Sequence, residues 1–130
     1  MKKDMIEAIR PTCVLVVRAC GKTFYASLEN NPSARAFIEK LSPARIIVCA
    51  SDLDGAGKAG ALPWDLPQCD GVTAAPGDVM LVDGDRIGVF HGESPRRFTR
   101  LAKIGSASEQ VLSAALGDCA SLSFHLEWSE

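Results

Sequence analysis

The stretch GDVMLVDGDRIGVFHG (residues 77–92) decides the fold of this chain. Two short apolar runs, DVMLV and RIGVFH, flank Asp83-Gly84-Asp85, and a turn of this composition between two such runs is typical of a β-hairpin. The same form recurs near the N-terminus, where CVLVV (13–17) and TFYASL (23–28) flank Cys20-Gly21-Lys22. The sequence therefore predicts antiparallel strands joined by tight turns.

Three further segments have the pattern of strands. ARIIVCA (44–50) is almost continuously apolar, which predicts a largely buried strand. FTRLAKI (98–104) alternates, and the inward positions that it predicts are Phe98, Leu101 or Ala102, and Ile104. SLSFHLEW (121–128) alternates strictly, which predicts a strand with one buried face. That face collects Leu122, Phe124, Leu126 and Trp128.

Two segments predict helices. In NNPSARAFIEKL (30–41), Asn31 is a natural N-cap and Pro32 suits the first helical position. The apolar residues of this segment recur at helical spacing, at Ala34, Phe37, Ile38 and Leu41. In the second segment, Ser106 and Glu109 have the spacing of a capping box and Gly117 marks the end. Its predicted apolar face is Val111, Leu112, Ala115 and Leu116.

Short antiparallel strands with only two helices indicate a mainly β fold. Closure of such a sheet into a barrel removes its exposed edges, so we expect a closed antiparallel β-barrel with two short α-helices. No linker or repeat interrupts the chain, and 130 residues suffice for one core. The expected organisation is one domain over residues 1–130.

Composition and charge exclude several classes of function. The net charge of −2 supplies no basic surface for phosphates, so we expect no nucleic-acid partner. The apolar run near the N-terminus is five residues long and ends at Arg18, too short for a secretory signal, which needs roughly 7–15 residues. No apolar stretch approaches the roughly 20 residues of a membrane span. We therefore expect a soluble, cytoplasmic protein without a membrane partner.

The cysteines predict free thiols. There are five, an odd number, and none forms a CxxC pair. Most lie in apolar runs, which favours buried thiols that act as small hydrophobic side chains. The two histidines are not closely spaced with each other or with a cysteine, so the sequence predicts neither a metal site nor a cofactor.

Residues 23–104 resemble a known family. The resemblance rests on the order and spacing of ENNPSARAFIEKL, SDLDGAGKAGALPWDLP, PGDVML, RIGVFHG and FTRLAKIG. Together these segments are similar to the bacterial cyclophilin-like family of small proteins of unknown function. The resemblance implies a closed antiparallel barrel of about eight strands. The arginine-containing and FMxQGGD-type motif of the prolyl isomerases among cyclophilins is absent, which speaks against transfer of that activity.

The segment 51–76 is the candidate for a ligand-binding loop, because it is long and rich in Gly, Pro, Asp and Ala. Trp64 stands between two prolines in LPWDLP, which makes it a candidate ligand contact at the mouth of a pocket; the alternative, which we favour, is that it plugs one end of the barrel. Asp52 is a candidate polar ligand, and the alternative is that it caps a turn through the backbone.

Two residues outside that segment complete the candidate ligand site. His91 ends an apolar run two residues before Glu93, with which it would form an acid–base pair if the two met. Arg97 belongs to SPRRFTR (94–100), whose arginines suit a carboxylate or phosphate. The alternatives are a solvated surface histidine and a charged edge strand that resists aggregation.

We expect the chain to bind a small molecule or a peptide segment at a cleft covered by residues 51–76. Two other classes stay open. One is a peptidyl-prolyl cis-trans isomerase or another enzyme that uses arginine and histidine around that cleft. The other is a structural or interaction domain, which includes a homodimer. The missing isomerase motif makes us favour binding over catalysis.

Overall fold

The computed structural model describes residues 12–105 and 107–129. Over these ranges the chain forms ten strands and two helices, which confirms a mainly β fold with two short helices. The strands are β1 (Thr12–Ala19), β2 (Lys22–Leu28), β3 (Ile46–Cys49), β4 (Ser51–Leu53), β5 (Gly57–Ala61), β6 (Val72–Ala74), β7 (Asp78–Val82), β8 (Arg86–Phe90), β9 (Ser94–Ile104) and β10 (Ser121–Ser129). The helices are α1 (Pro32–Leu41) and α2 (Glu109–Leu116), and neither is long and apolar enough to cross a membrane.

The strands form one antiparallel sheet in the order β3-β10-β1-β2-β9-β7-β8-β5-β4, and β6 pairs with β9 beside this path. The prediction of a closed barrel of about eight strands is wrong in this respect, because no ladder within the described ranges joins β3 to β4. The two end strands are consecutive in the chain, with Ala50 alone between them. The covalent chain, rather than a row of hydrogen bonds, therefore connects the two ends of the sheet.

The ends of the sheet approach each other closely at Gly60. A Cβ atom on Gly60 of β5 would lie 2.0 Å from the carbonyl oxygen of Cys49 on β3. A contact this short is not compatible with any side chain, so only glycine allows the two strands to come together here.

The predicted tight turns are confirmed by their backbone geometry. Cys20 and Gly21 connect β1 to β2 with φ angles of 50° and 83°. Asp83 and Gly84 follow β7 with φ angles of 57° and 85°. Positive φ at two successive residues matches the right-handed twist of paired strands, and glycine adopts it without a steric penalty.

Strand β7 is buried on both faces, because each of its five residues is inaccessible to solvent. Val79 and Leu81 belong to the main core, which the two helices also enter through Phe37 and Leu116. The opposite face of β7 belongs to a second core. Its members are Leu53, Ala56, Ala59, Ala74, Met80, Val82, Phe90 and Phe98.

The predicted N-cap is correct for α1, whereas the N-cap of α2 lies two residues after the predicted one. The side chain of Asn31 accepts a hydrogen bond from the backbone N–H of Ala34 at 2.7 Å, as expected of an N-cap. Helix α2 is capped by Ser108, whose hydroxyl accepts from the backbone N–H of Val111 at 3.2 Å. The predicted cap Ser106 lies outside the described residues. Val111, predicted to face the core, is 48% exposed.

The predicted strands form, but two predictions of burial are wrong. Only Val48 of β3 is buried and Ile47 is 66% exposed, because β3 is an end strand. In β10, Leu122 and Phe124 are buried as predicted, whereas Trp128 is 52% exposed. The strand reaches beyond the core at its C-terminal end, so alternation continues there without burial.

The segment 51–76 is not a single loop. It forms β4, β5 and β6, and the longest stretch without regular structure is residues 62–71. We expected this segment to cover a cleft as a loop. It instead forms a β-hairpin, a short connection and an added strand. Glycine and alanine predominate in this segment because β5 packs closely against β8 and β3.

Candidate functional site

An open cleft of about 510 Å³ lies between β6 and the start of β9. We call it the β6–β9 groove, and its lining residues are Thr73, Ala74, Ala75, Glu93, Ser94 and Pro95. Ala74 and Ser94 are almost fully buried, at 3% and 4% exposure, whereas Thr73 and Glu93 are exposed. The groove therefore has small residues at its base and a hydroxyl and a carboxylate at its rim.

The groove lies at an irregularity in the β6–β9 ladder. Thr73 pairs with Arg97, but the next residue, Ala74, pairs with Ser94. Two residues of β9, Pro95 and Arg96, are thus left without partners on β6. A bulge of this kind bends the strand that contains it, and proline suits it because it has no N–H to leave unpaired.

The wall of the groove at Ala75 is held by a buried carboxylate. Asp78 is fully buried, and its Oδ2 accepts a hydrogen bond from the backbone N–H of Ala75 at 2.9 Å. Its Oδ1 lies 3.0 Å from Lys103 Nζ and 3.6 Å from the nearest guanidinium nitrogen of Arg100. The Oδ1 atom has no well-aligned hydrogen bond, so these contacts are ion pairs. Sequence reasoning missed Asp78, because its position at the start of a strand does not distinguish it from a surface residue.

The groove offers an occupant apolar, hydroxyl and carboxylate groups. The lining residues include neither histidine nor cysteine, and the Ser94 hydroxyl accepts from the backbone N–H of Arg96 at 3.3 Å. Alanine and proline offer apolar contact, and Glu93 offers an exposed negative charge. Among the side chains of residues 12–105 and 107–129, no cluster of His, Cys, Asp or Glu is arranged to hold a metal ion.

A second, smaller cleft of about 170 Å³ lies between the residues that precede β6 and the middle of β9, and we call it the Arg97 pocket. Its lining residues are Gln68, Cys69, Gly71, Leu81, Asp83, Arg97, Phe98 and Thr99. Its polar groups largely bond to one another. Arg97 donates to the carbonyl of Gly71, the backbone N–H of Cys69 donates to Thr99 Oγ1 at 3.1 Å, and the Thr99 hydroxyl donates to the Cys69 carbonyl at 3.0 Å.

The structure does not bring the four predicted ligand-binding residues together. Arg97 lines the Arg97 pocket, but Trp64, Asp52 and His91 line neither cleft. Trp64 is half-buried against the main core, with its ring centroid 6.1 Å from that of Phe37 and the planes inclined at 62°. This edge contact agrees with the alternative that Trp64 closes one end of the core.

Asp52 and His91 have structural partners instead of a shared cleft. Asp52 is exposed on β4, and its Oδ2 accepts from the backbone N–H of Gly55 at 3.0 Å, which is the turn cap given above as the alternative. His91 Nδ1 lies 3.1 Å from the hydroxyl of Ser113, so this side chain connects the end of β8 to α2.

The arginines of β9 are directed to different partners. Arg96 makes a paired contact with the carboxylate of Asp54, at 2.9 and 3.1 Å, and its guanidinium lies 5.0 Å from the ring centroid of Phe98. Arg100 donates from Nε to Glu29 at 3.0 Å. Because each guanidinium has its own carboxylate or carbonyl partner, these residues do not form one anion site.

The cysteines are unpaired, as predicted, but they are not uniformly buried. Only Cys119 is buried, Cys13 and Cys69 are half-buried, and Cys20 and Cys49 are exposed. The prediction of buried thiols is therefore wrong for Cys20 and Cys49, which lie in a turn and on an end strand. Burial raises the pKa of the Cys13 thiol.

The chain matches a known protein family over a region that includes both clefts. The sequence profile of the cyclophilin-like family matches residues 17–127, from within β1 to within β10. No protein with a curated description matches the chain. The matched region contains both helices, β6 and the whole of β9, so the β6–β9 groove and the Arg97 pocket both lie inside it.

Proposed function

The chain belongs to the cyclophilin-like family, and from the geometry of its clefts we propose that it binds an extended peptide segment in the β6–β9 groove. The observation that carries this proposal is the position of β6 beside that groove. Strand β6 is three residues long and, over the described residues, pairs with β9 alone. One edge of β6 therefore has no strand partner within the described ranges, and the groove lies beside this short strand.

An unpaired strand edge binds extended polypeptide through the backbone. Its N–H and C=O groups continue the ladder into an added strand, and a neighbouring cleft supplies specificity by accepting alternate side chains. Val72, the first residue of β6, is 38% exposed and offers apolar contact along this edge. A peptide laid along β6 would thus place side chains of one face into the β6–β9 groove.

The walls of the groove favour a particular kind of peptide. Ala74, Ala75 and Pro95 suit small apolar side chains, and the exposed Glu93 suits a neighbouring lysine or arginine. An exposed ion pair of this kind contributes at most about 1 kcal/mol, so it discriminates between peptides without dominating the affinity. We therefore propose an extended segment with one basic residue next to small apolar residues.

The openness of the groove favours a peptide over a free small molecule. A site for a small ligand typically encloses about 70–90% of its surface. The β6–β9 groove has exposed residues on both strands, Thr73 and Glu93, and no element covers it within the described ranges. An occupant that gains backbone hydrogen bonds from β6 does not require enclosure.

The proposal is tested by titration of the ¹⁵N-labelled protein with two short peptides. One contains Val-Ala-Lys-Ala-Val, and the other has glutamate in place of lysine. We expect saturable shifts of the amides of Val72–Ala74 with the lysine peptide, and weaker binding of the glutamate peptide. Glu93→Lys should weaken binding of the lysine peptide by about fivefold, the equivalent of about 1 kcal/mol.

Glu39→Lys is the matched control, because Glu39 is an exposed glutamate on α1 that does not line the groove. It should leave the affinity unchanged. Absence of saturable shifts at β6 with either peptide would refute the proposal. Equal effects of the two charge reversals would show that net charge alone, and not the groove, attracts the peptide.

A further inference from the structure

Two cysteines lie close together where the β1–β2 turn meets the start of β10. Cys20 follows Ala19, which pairs with Leu122 across the β1–β10 ladder. Continuation of that antiparallel register by one residue places Cys20 across from Ser121. Cys119 lies just before β10, and its thiol donates to the carbonyl oxygen of Ser121 at 2.9 Å. Both sulfur-bearing residues are therefore adjacent to Ser121.

The two cysteine side chains interact. A hydrogen bond to the Cys119 side chain raises the pKa of the Cys20 thiol, and the Cys119 thiol in turn donates to the Ser121 carbonyl. Cys20 is exposed in its turn, and Cys119 is 1% exposed. A reagent in solution thus reaches Cys20 first, and Cys119 is positioned to react second.

We propose that Cys20 and Cys119 form a reversible intramolecular disulfide when the protein meets an oxidised low-molecular-weight disulfide. With oxidised glutathione, the Cys20 thiolate attacks one glutathione sulfur, which forms a mixed disulfide and releases one glutathione thiolate. The Cys119 thiolate then attacks the Cys20 sulfur, which closes the protein disulfide and releases the second glutathione. The two protons lost by the protein thiols are taken up by the two glutathione thiolates, and the oxidant is reduced by two electrons.

None of the remaining cysteines is placed to pair with Cys20. Cys49 pairs with Ser121 from β3, on the opposite side of β10 from β1. Two strand spacings of about 4.8 Å then separate Cys49 from Cys20, which exceeds the roughly 7 Å limit between Cα atoms for a disulfide. Cys13 lies near the other end of β1, away from Cys20. The Cys69 sulfur lies 3.1 Å from the hydroxyl oxygen of Ser33.

The disulfide would link the β1–β2 turn to the start of β10. It closes a loop of about 100 residues, and a cross-link of this length restricts the unfolded chain strongly. We therefore expect oxidation to raise the Tm by at least about 5 °C. Reduction with dithiothreitol should reverse the change.

The test uses the full chain, incubated with excess oxidised glutathione, quenched with acid, denatured and alkylated. Five alkylated cysteines before oxidation should become three, and peptide mapping should identify the Cys20–Cys119 cross-link. Cys20→Ser should abolish the cross-link, and because Cys20 is exposed this variant should keep the fold. Cys49→Ser is the matched control, since Cys49 is also exposed on a neighbouring strand, and it should keep the cross-link. A cross-link between other cysteines, five alkylated thiols after oxidation, or a glutathione adduct that persists on Cys20 while Cys119 stays free would each overturn the proposal.

Discussion

The carboxylate of Asp78 and the ammonium group of Lys103 lie 3.0 Å apart, with the aspartate side chain fully buried and the lysine side chain 40% exposed. The ion pair thus spans from the interior to the surface. A buried carboxylate is costly unless it has charged and hydrogen-bonded partners. Asp78 obtains these from Lys103, Arg100 and the backbone N–H of Ala75, and it thereby joins β7 and β9 to the wall of the β6–β9 groove.

Replacement of Asp78 by asparagine should destabilise the protein by about 1–3 kcal/mol, because the amide keeps an acceptor for Ala75 but loses both ion pairs. The free energy of unfolding in urea measures this change. Asp83→Asn is the control, since Asp83 is exposed at φ 57°, a conformation that asparagine tolerates, and the expected change is within about 0.5 kcal/mol. Equal stability of the two variants would show that the buried ion pairs contribute nothing.

Trp64→Ala should lower stability without changing peptide binding. The indole is half-buried against Phe37 and lines neither cleft, so we expect a loss of about 2–3 kcal/mol, below the range for a fully buried tryptophan. Trp128→Ala provides the comparison, because Trp128 is 52% exposed, and it should cost less than about 1 kcal/mol. Loss of peptide affinity in a folded Trp64→Ala protein would instead restore Trp64 as a ligand contact.

Gly60→Ala should be strongly destabilising, by about 3 kcal/mol or more, because the added Cβ would overlap the carbonyl of Cys49 on β3. Neither atom is part of a flexible side chain, so β3 and β5 would have to separate. Gly105→Ala is the matched substitution, since nothing lies within 4 Å of the added atom there. It should leave the Tm nearly unchanged, and a similar loss in both variants would argue against the close approach of β3 and β5.

The rate at which Cys20 reacts with iodoacetamide should continue to increase at pH values above the ordinary pKa of a cysteine thiol. The hydrogen bond to Cys119 raises the pKa of Cys20, with smaller contributions from desolvation and from the charges of Cys119 and Asp118, while a hydrogen bond with the Ala120 backbone lowers it. A raised pKa means less thiolate at pH 7, and the thiolate is the reactive form.

Cys119→Ala removes the partner of Cys20, so it should lower the Cys20 pKa and shift the whole rate profile to lower pH. The measurement is the alkylation rate of Cys20, followed by peptide mapping, from pH 6 to 10. A rate increase of the same factor at every pH would indicate greater exposure of Cys20 and not a lower pKa.

We expect no catalysis of prolyl isomerisation. The residues that line the β6–β9 groove include no arginine, and the Arg97 guanidinium already donates to the Gly71 carbonyl. In a proline-peptide assay the rate should stay at the uncatalysed value, with a time constant of tens to hundreds of seconds. A protein-dependent acceleration that is lost in Arg97→Lys would make isomerase activity the better account of the function.

The elements that sequence reasoning predicted well are those whose causes lie within a few residues. The turn at Asp83-Gly84 and the cap at Asn31 depend on local backbone geometry, and both formed as expected. The cap of α2 is Ser108 and not the predicted Ser106, and both serines offer the same hydroxyl group. Local chemistry alone does not distinguish the two serines.

The candidate site was less predictable, because it depends on register between distant segments. Of the four predicted residues only Arg97 lines a cleft. The β6–β9 groove exists because Ala74 pairs with Ser94 directly after Thr73 pairs with Arg97. No local signal marks this shift, apart from Pro95, whose missing N–H is compatible with a bulge.

The sequence by itself determined the tight turns, the two amphipathic helices and the succession of short strands, because each follows from side-chain periodicity and backbone preference over fewer than about a dozen residues. Only the tertiary structure decided that β3 and β4 end the sheet, that Asp78 is buried beside Lys103, and that Cys20 meets Cys119. These relationships depend on which strands pair and in which register. Strand pairing and register depend on the packing free energy of the whole sheet. No single segment contributes enough of that free energy for its pairing to be predicted from its own sequence.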